Sequence, residues 1–163
     1  MASTYEPIAT TTLGSAASSV TFSSIPATYT DLVLVTNTQR QATGFGPVGF
    51  VAQFNGDTGS NYSDTYLIGD GSTATSSRAT SQTSIFVGLA PDSQWGNSII
   101  QIMNYSNSTT YKTSLTRINT TTNYTAAAVG LWRNTAAINS INLSGSANIL
   151  AGSTFTLYGI KAA

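Results

Sequence analysis

The chain has no histidine and no cysteine, and its 163 residues hold one glutamate and two lysines. Charged residues make up 7 % of it, against about a quarter of an average soluble domain. Without His or Cys, nucleophilic catalysis of the Ser-His-Asp or Cys-His type lacks its base or its thiol. Without Cys there is no disulfide framework and no thiolate metal site, and zinc would find only carboxylates. A Ser-Lys dyad would have to use Lys112 or Lys161, and neither sits in a recognisable motif. Six acids balance six bases. The clustered positive field of a nucleic-acid binder is therefore missing, as is the basic amphipathic face of a membrane-surface helix. No stretch approaches the roughly 20 apolar residues of a membrane span. The opening MASTYE has neither the basic nor the apolar region of a signal peptide. These absences predict a protein made in a cytoplasm, with a structural or binding role rather than an enzymatic one.

What the chain has instead is hydroxyls. It holds 22 serines and 27 threonines beside 40 % hydrophobic residues. Threonine is β-branched and suits exposed strand faces, and the apolar share is too high for a disordered polar tract. The length is that of one domain with a proper core. Short apolar or alternating runs recur: Val20–Phe22, Leu32–Val35, Val48–Phe54, Tyr62–Ile68, Ile85–Leu89, Ile99–Met103, Tyr111–Ile118, Ala126–Trp132, Ile138–Leu143 and Phe155–Ile160. Turn clusters such as Asn55-Gly56-Asp57, Gly69-Asp70-Gly71-Ser72 and Ala90-Pro91-Asp92 separate them. This punctuation predicts an all-β fold, an antiparallel jelly-roll-like β-sandwich of about 8–10 short strands with little or no helix. Residues 1–17 read as an arm or edge strand, and residues 18–163 as a single sandwich domain. Alternation places Tyr111, Thr113, Leu115 and Arg117 on one face of their strand and Lys112, Ser114, Thr116 and Ile118 on the other. Ile138, Ile141 and Leu143 break strict alternation, which predicts a bulge near Asn139-Ser140. The alanine run from Thr125 to Val129 is flanked by β-formers and reads as strand.

Charge is unevenly spread. Residues 1–92 hold all six acids against Arg40 and Arg78, a balance of −4, and residues 93–163 hold Lys112, Arg117, Arg133 and Lys161, a balance of +4. The halves can pair within one sandwich or between neighbouring subunits. Asp57, Asp64 and Asp70 form the only local acidic cluster. Each lies next to Gly or Ser, where Asp commonly caps a turn. Calcium ligation by Asn55, Asp57, Asp64 and Asp70 is the alternative, but the spacing does not match the twelve-residue calcium loop. Gly44-Phe45-Gly46-Pro47 lacks the Lys and helix of a phosphate loop. The Asn-x-Ser/Thr triplets are a by-product of composition. Among the aromatics, Trp95 lies between turn residues and reads as exposed, Trp132 reads as core, and Phe45 between glycines reads as a plug for a neighbour.

Several segments together carry a resemblance. They are Tyr5–Thr10 (YEPIAT), Val20–Leu34 (VTFSSIPATYTDLVL), Phe54–Ser63 (FNGDTGSNYS), Gly69–Ser72 (GDGS), Leu131–Leu143 (LWRNTAAINSINL) and Phe155–Ile160 (FTLYGI). In order and spacing, the chain resembles a small β-sandwich module of virion structural proteins of tailed phages, especially phages of cyanobacteria and marine bacteria. The resemblance implies a non-enzymatic virion part, a homotrimer without cofactor. In many relatives the module belongs to a longer tail protein, whereas this chain starts directly at Met1, which turns the expectation toward the head. The expected function is a capsid decoration (cement) protein. It would bind the outer head surface, near local three-fold positions, and link major capsid subunits. The expected partner-contacting residues are Tyr5, Glu6 and Ile8 in a reaching N-terminal arm, with Phe45 and Trp95. The alternative is a tail-fibre or tail-tip module that recognises host surface glycan, with Trp95 and Tyr62 stacking on sugars.

Overall fold

The computed structural model describes residues 4–41, 48–92 and 94–161. Twelve strands form among them and no helix: β1 (Tyr5–Thr12), β2 (Ala17–Phe22), β3 (Asp31–Thr38), β4 (Val48–Phe54), β5 (Tyr62–Gly69), β6 (Ala74–Gln82), β7 (Ile85–Ala90), β8 (Gly96–Met103), β9 (Lys112–Thr120), β10 (Thr125–Trp132), β11 (Ile141–Ile149) and β12 (Thr154–Ile160). They make two sheets. The larger has eight strands in the order β1-β12-β3-β8-β9-β10-β5-β6, and the smaller has four in the order β2-β11-β4-β7. Every ladder between named strands is antiparallel. The architecture is an all-β, jelly-roll-like sandwich.

The count exceeds the expected 8–10 by two strands at the edges of the large sheet. Residues 5–12 pair with β12 as its first strand. At the far edge, β6 reads ATSSRATSQ and is exposed along almost its whole length. A strand with neither face buried has no apolar alternation to reveal it. The bulge expected near Asn139-Ser140 is absent. Those two residues lie in the connecting segment before β11 and donate their N–H groups to Asn55 Oδ1 at 2.9 and 3.2 Å. Ile138 is buried from outside the strand, which breaks the alternation without a bulge. The pairing of β11 with β2 shifts later, between Ser144 and Ile149.

The core lies between the sheets. Phe50, Ala52, Phe54, Ile85, Val87, Ile141 and Leu143 of the small sheet meet Leu32, Leu34, Ile100, Ile102, Trp132, Phe155 and Leu157 of the large one. Burying each large apolar side chain contributes about 1.5–3 kcal/mol. Hydroxyls enter this layer too. Thr36, Thr38, Ser98, Ser114, Thr116 and Thr120 are buried on the inner side of β3, β8 and β9. The expectation that threonine marks the outer faces therefore holds for β6 but not for these strands. Two of the buried hydroxyl residues pack against glycines: a Cβ on Gly88 of β7 would meet Ser98 Oγ at 2.7 Å, and one on Gly130 of β10 would meet Ser114 Oγ at 2.6 Å.

Candidate functional site

The strand registers align the outward side chains of the large sheet into rows. In one row Leu67 of β5 lies opposite Ala127, Ala127 opposite Arg117, Arg117 opposite Ile99, and Ile99 opposite Val35. A second row runs Thr65, Val129, Leu115 and Gln101. A third runs Thr125, Asn119, Asn97, Asn37 and Thr154. The outer face thus divides. Over β5, β10 and β9 it is apolar, with Leu67 61 %, Val129 52 % and Leu115 43 % exposed. Such a cluster is a candidate contact surface. Over β12, β3, β8 and β9 it mixes asparagines and threonines with the exposed Val35 and Ile99, and dips into a depression of about 460 Å³. A second depression of about 500 Å³, lined by Leu67, Ala74, Ala127 and Arg117, adjoins it. Arg117 lines both. Its side chain is exposed and makes no hydrogen bond or ion pair among the described residues.

Sequence reasoning grouped the alternating residues of β9 correctly but left open which group faces in. Lys112, Ser114, Thr116 and Ile118 are buried, while Tyr111, Thr113, Leu115 and Arg117 are exposed. The buried Lys112 ammonium donates to the carbonyls of Thr110 (2.7 Å) and Thr135 (3.0 Å), and burial pushes its pKa down. The face with the leucine is the outer one, so the apolar patch went unseen in the sequence.

The residues expected to touch partners are scattered. Tyr5 is exposed on β1 and packs edge-on against Tyr158, ring centroids 6.3 Å apart. Glu6 accepts hydrogen bonds from Lys161 Nζ (2.8 Å) and the Tyr29 hydroxyl (3.3 Å). The Lys161 bond foremost draws the Glu6 pKa down. Ile8 packs against the main core at the point where the β1 register shifts. The segment pictured as a reaching arm is thus laid along the sheet edge, because Ile8 is worth more against the core than in solvent. Phe45 lies outside the described residues. Trp95 is half-buried rather than exposed, with its ring 3.6 Å from the position of a Cβ on Gly152. Tyr62 is fully buried and cannot stack on a sugar. Its hydroxyl accepts from the Phe54 N–H (3.0 Å) and donates to the Asp57 carbonyl (3.1 Å), and burial pushes its pKa up to about 12.

The acidic cluster does not converge. Asp57 accepts from Trp132 Nε1, the Gly59 N–H and the Asn61 amide. Asp70 accepts from the backbone N–H groups of Thr73 and Ser72 and from their hydroxyls, which hold its carboxyl far below the usual range. Asp64 is buried on β5 and accepts from the Phe86 N–H at 3.3 Å. Among the described residues no three His, Cys, Asp or Glu gather as a metal site. Among the described residues the charged halves of the chain meet in one ion pair, Glu6–Lys161, while Arg40–Asp92 lies within the first half.

No protein-family model matches this chain. No curated protein sequence matches it either. Among solved structures it is similar to a mutant of alginate lyase Aly36B in complex with an alginate tetrasaccharide. That match is 12 % identical and covers 83 % of this chain and 72 % of the other, with a TM-score of 0.34. It is also similar to the marine PL-14 alginate lyase from Aplysia kurodai, 11 % identical over 85 % of this chain and 72 % of the other, with a TM-score of 0.33. No residue role passes from these structures to this chain.

Proposed function

We infer that this chain is a non-enzymatic structural protein of a tailed-phage virion. It acts as a capsid decoration protein that sits on the outer head as a homotrimer and links major capsid subunits. The observation that carries this reading is the exposed Leu67–Val129–Leu115 patch on a neutral sandwich. A patch of this kind needs a protein neighbour, and near-zero net charge lets identical copies pack without long-range repulsion. Single hydroxyl contacts contribute only about 1 kcal/mol, but repetition over a symmetric lattice makes them hold by avidity. Two measurements test it. Sedimentation equilibrium should give a trimer that Leu67→Ser/Leu115→Ser shifts toward monomer. Antibody labelling of whole virions should cover the head. A monomeric wild type, or label confined to the tail, overturns the reading. Label on the tail would favour the second reading, a glycan-recognising tail module, which the asparagine-lined depression beside Arg117 supports.

A further inference from the structure

The half of the outer face over β12, β3, β8 and β9 sets a row of amides and hydroxyls beside apolar surface. Asn37, Asn97 and Asn119 lie side by side across three neighbouring strands, with Thr154 and Thr125 continuing the row at its ends. All five line the depression of about 460 Å³. Among the described residues Arg117 stands at its wall without a counter-ion, and no acid lines this depression or the adjoining one. Asn37 Oδ1 is sheltered and has no hydrogen-bond partner, which is uncommon for a buried amide oxygen. Val35 and Ile99, next to each other in the adjacent row, add apolar surface beside the amides.

We propose that this depression binds a segment of a carboxylated polysaccharide, with a carboxylate on Arg117 and sugar hydroxyls on Asn37, Asn97 and Asn119. A guanidinium fork matches a carboxylate with two parallel hydrogen bonds. Side-chain amides both donate and accept, as sugar hydroxyls do. The terminal torsion of asparagine is soft, so the Asn37 amide can turn its unspent acceptor toward a ligand. Val35 and Ile99 suit the C–H faces of sugar rings. An extended peptide is served less well, because strand addition uses a sheet edge and this is a sheet face. A protein contact that buried Arg117 without an acid would leave an unpaired charge. The ligand class deepens the glycan reading above, whereas the site itself needs no particular place on a virion.

The test uses the isolated full chain and polygalacturonate as probe, in affinity electrophoresis and titration calorimetry at low salt. Wild type is expected to bind, and Arg117→Gln to bind at least tenfold more weakly with an unchanged melting temperature. Arg78→Gln, on β6 and outside the depression, is expected to bind as wild type does. Four outcomes overturn the proposal: no binding of polygalacturonate, binding that Arg117→Gln leaves intact, equal binding of neutral dextran, or binding of dextran sulfate alone. Equal, Arg117-dependent binding of polyglutamate overturns it too and makes the ligand an acidic peptide. None of these results bears on where label falls on a virion, so this site and the particle reading fail separately.

Discussion

Asp57 Oδ2 accepts the indole N–H of Trp132 at 2.7 Å, which ties the turn after β4 to the end of β10. Trp132 is 1 % exposed and stacks on Tyr62, with an interplanar angle of 16°. Tyr62 in turn holds the backbone of Phe54 and Asp57 through its hydroxyl. One carboxylate thus satisfies the polar atom of the largest core side chain and fixes a loop that runs from the small sheet to the large one.

Asp57→Ala is therefore expected to leave the indole N–H buried without a partner, at a cost of about 1–3 kcal/mol. Asp57→Asn keeps an acceptor and should lose less. The indole hydrogen bond foremost lowers the Asp57 pKa. The stability it contributes is present above the unfolded-state value, about 3.9, and is lost as pH falls through the lower folded value. Chemical denaturation of wild type and Asp57→Ala from pH 7 down to pH 2 should show the gap between them closing in acid. In a Trp95→Phe background, the fluorescence of Trp132 reports the same event locally.

Arg40 is 1 % exposed, pairs with Asp92 and donates from Nε to the Ala90 carbonyl at 2.7 Å. Removing Asp92 takes the carboxylate away from a buried guanidinium. Asp92→Ala is expected to cost about 3 kcal/mol, and replacing both residues (Arg40→Met/Asp92→Leu) to recover much of that loss. A double-mutant cycle by urea unfolding reads the coupling directly. Additive losses would mean that the pair contributes nothing beyond its parts.

The fold was legible because most strands bury one face. The run Ile99–Met103 marked β8, and its Ile100 and Ile102 lie in the core. Trp132 was legible as core for the same reason. What stayed hidden has physical causes. Strand β6 buries neither face and has no pattern to read. The inward face of β9 could not be chosen, because Lys112 goes inside on its aliphatic stem and finds carbonyls in two loops. A sequence cannot show that those loops converge. The Arg117 depression depends on register across five strands, and no local motif encodes register. Trp95 looked exposed from its turn-rich neighbours, but Gly152 is distant in sequence and near in space.

Close backbone approach makes Gly96 a sensitive position. A Cβ there would meet the Leu89 carbonyl oxygen at 2.2 Å and Pro91 Cδ at 3.1 Å. The first is backbone of β7, held in its ladder with β4, so nothing cheap can move aside. Gly96→Ala is expected to destabilise by about 3 kcal/mol or more, beyond ordinary overpacking. Gly14→Ala, with open space around its Cβ, serves as the control and should change stability by less than about 0.5 kcal/mol. Thermal melts followed by circular dichroism decide between the two positions.

Asp64 has the opposite pH behaviour to Asp57. Burial between the sheets raises its pKa, and the Phe86 N–H only partly offsets that. The folded state therefore favours the protonated acid. Its contribution is fully present below the unfolded-state pKa of about 3.9 and is lost as pH rises through the higher folded value, so at neutral pH the charged form works against folding. Asp64→Asn keeps an oxygen for the Phe86 N–H and removes the charge. It is expected to match wild type near pH 3 and to be more stable at pH 7, the reverse of the trend for Asp57→Ala. Parallel urea titrations at the two pH values measure it. A variant less stable than wild type at pH 7 would mean that the carboxylate is stabilised in the fold by more than the Phe86 contact.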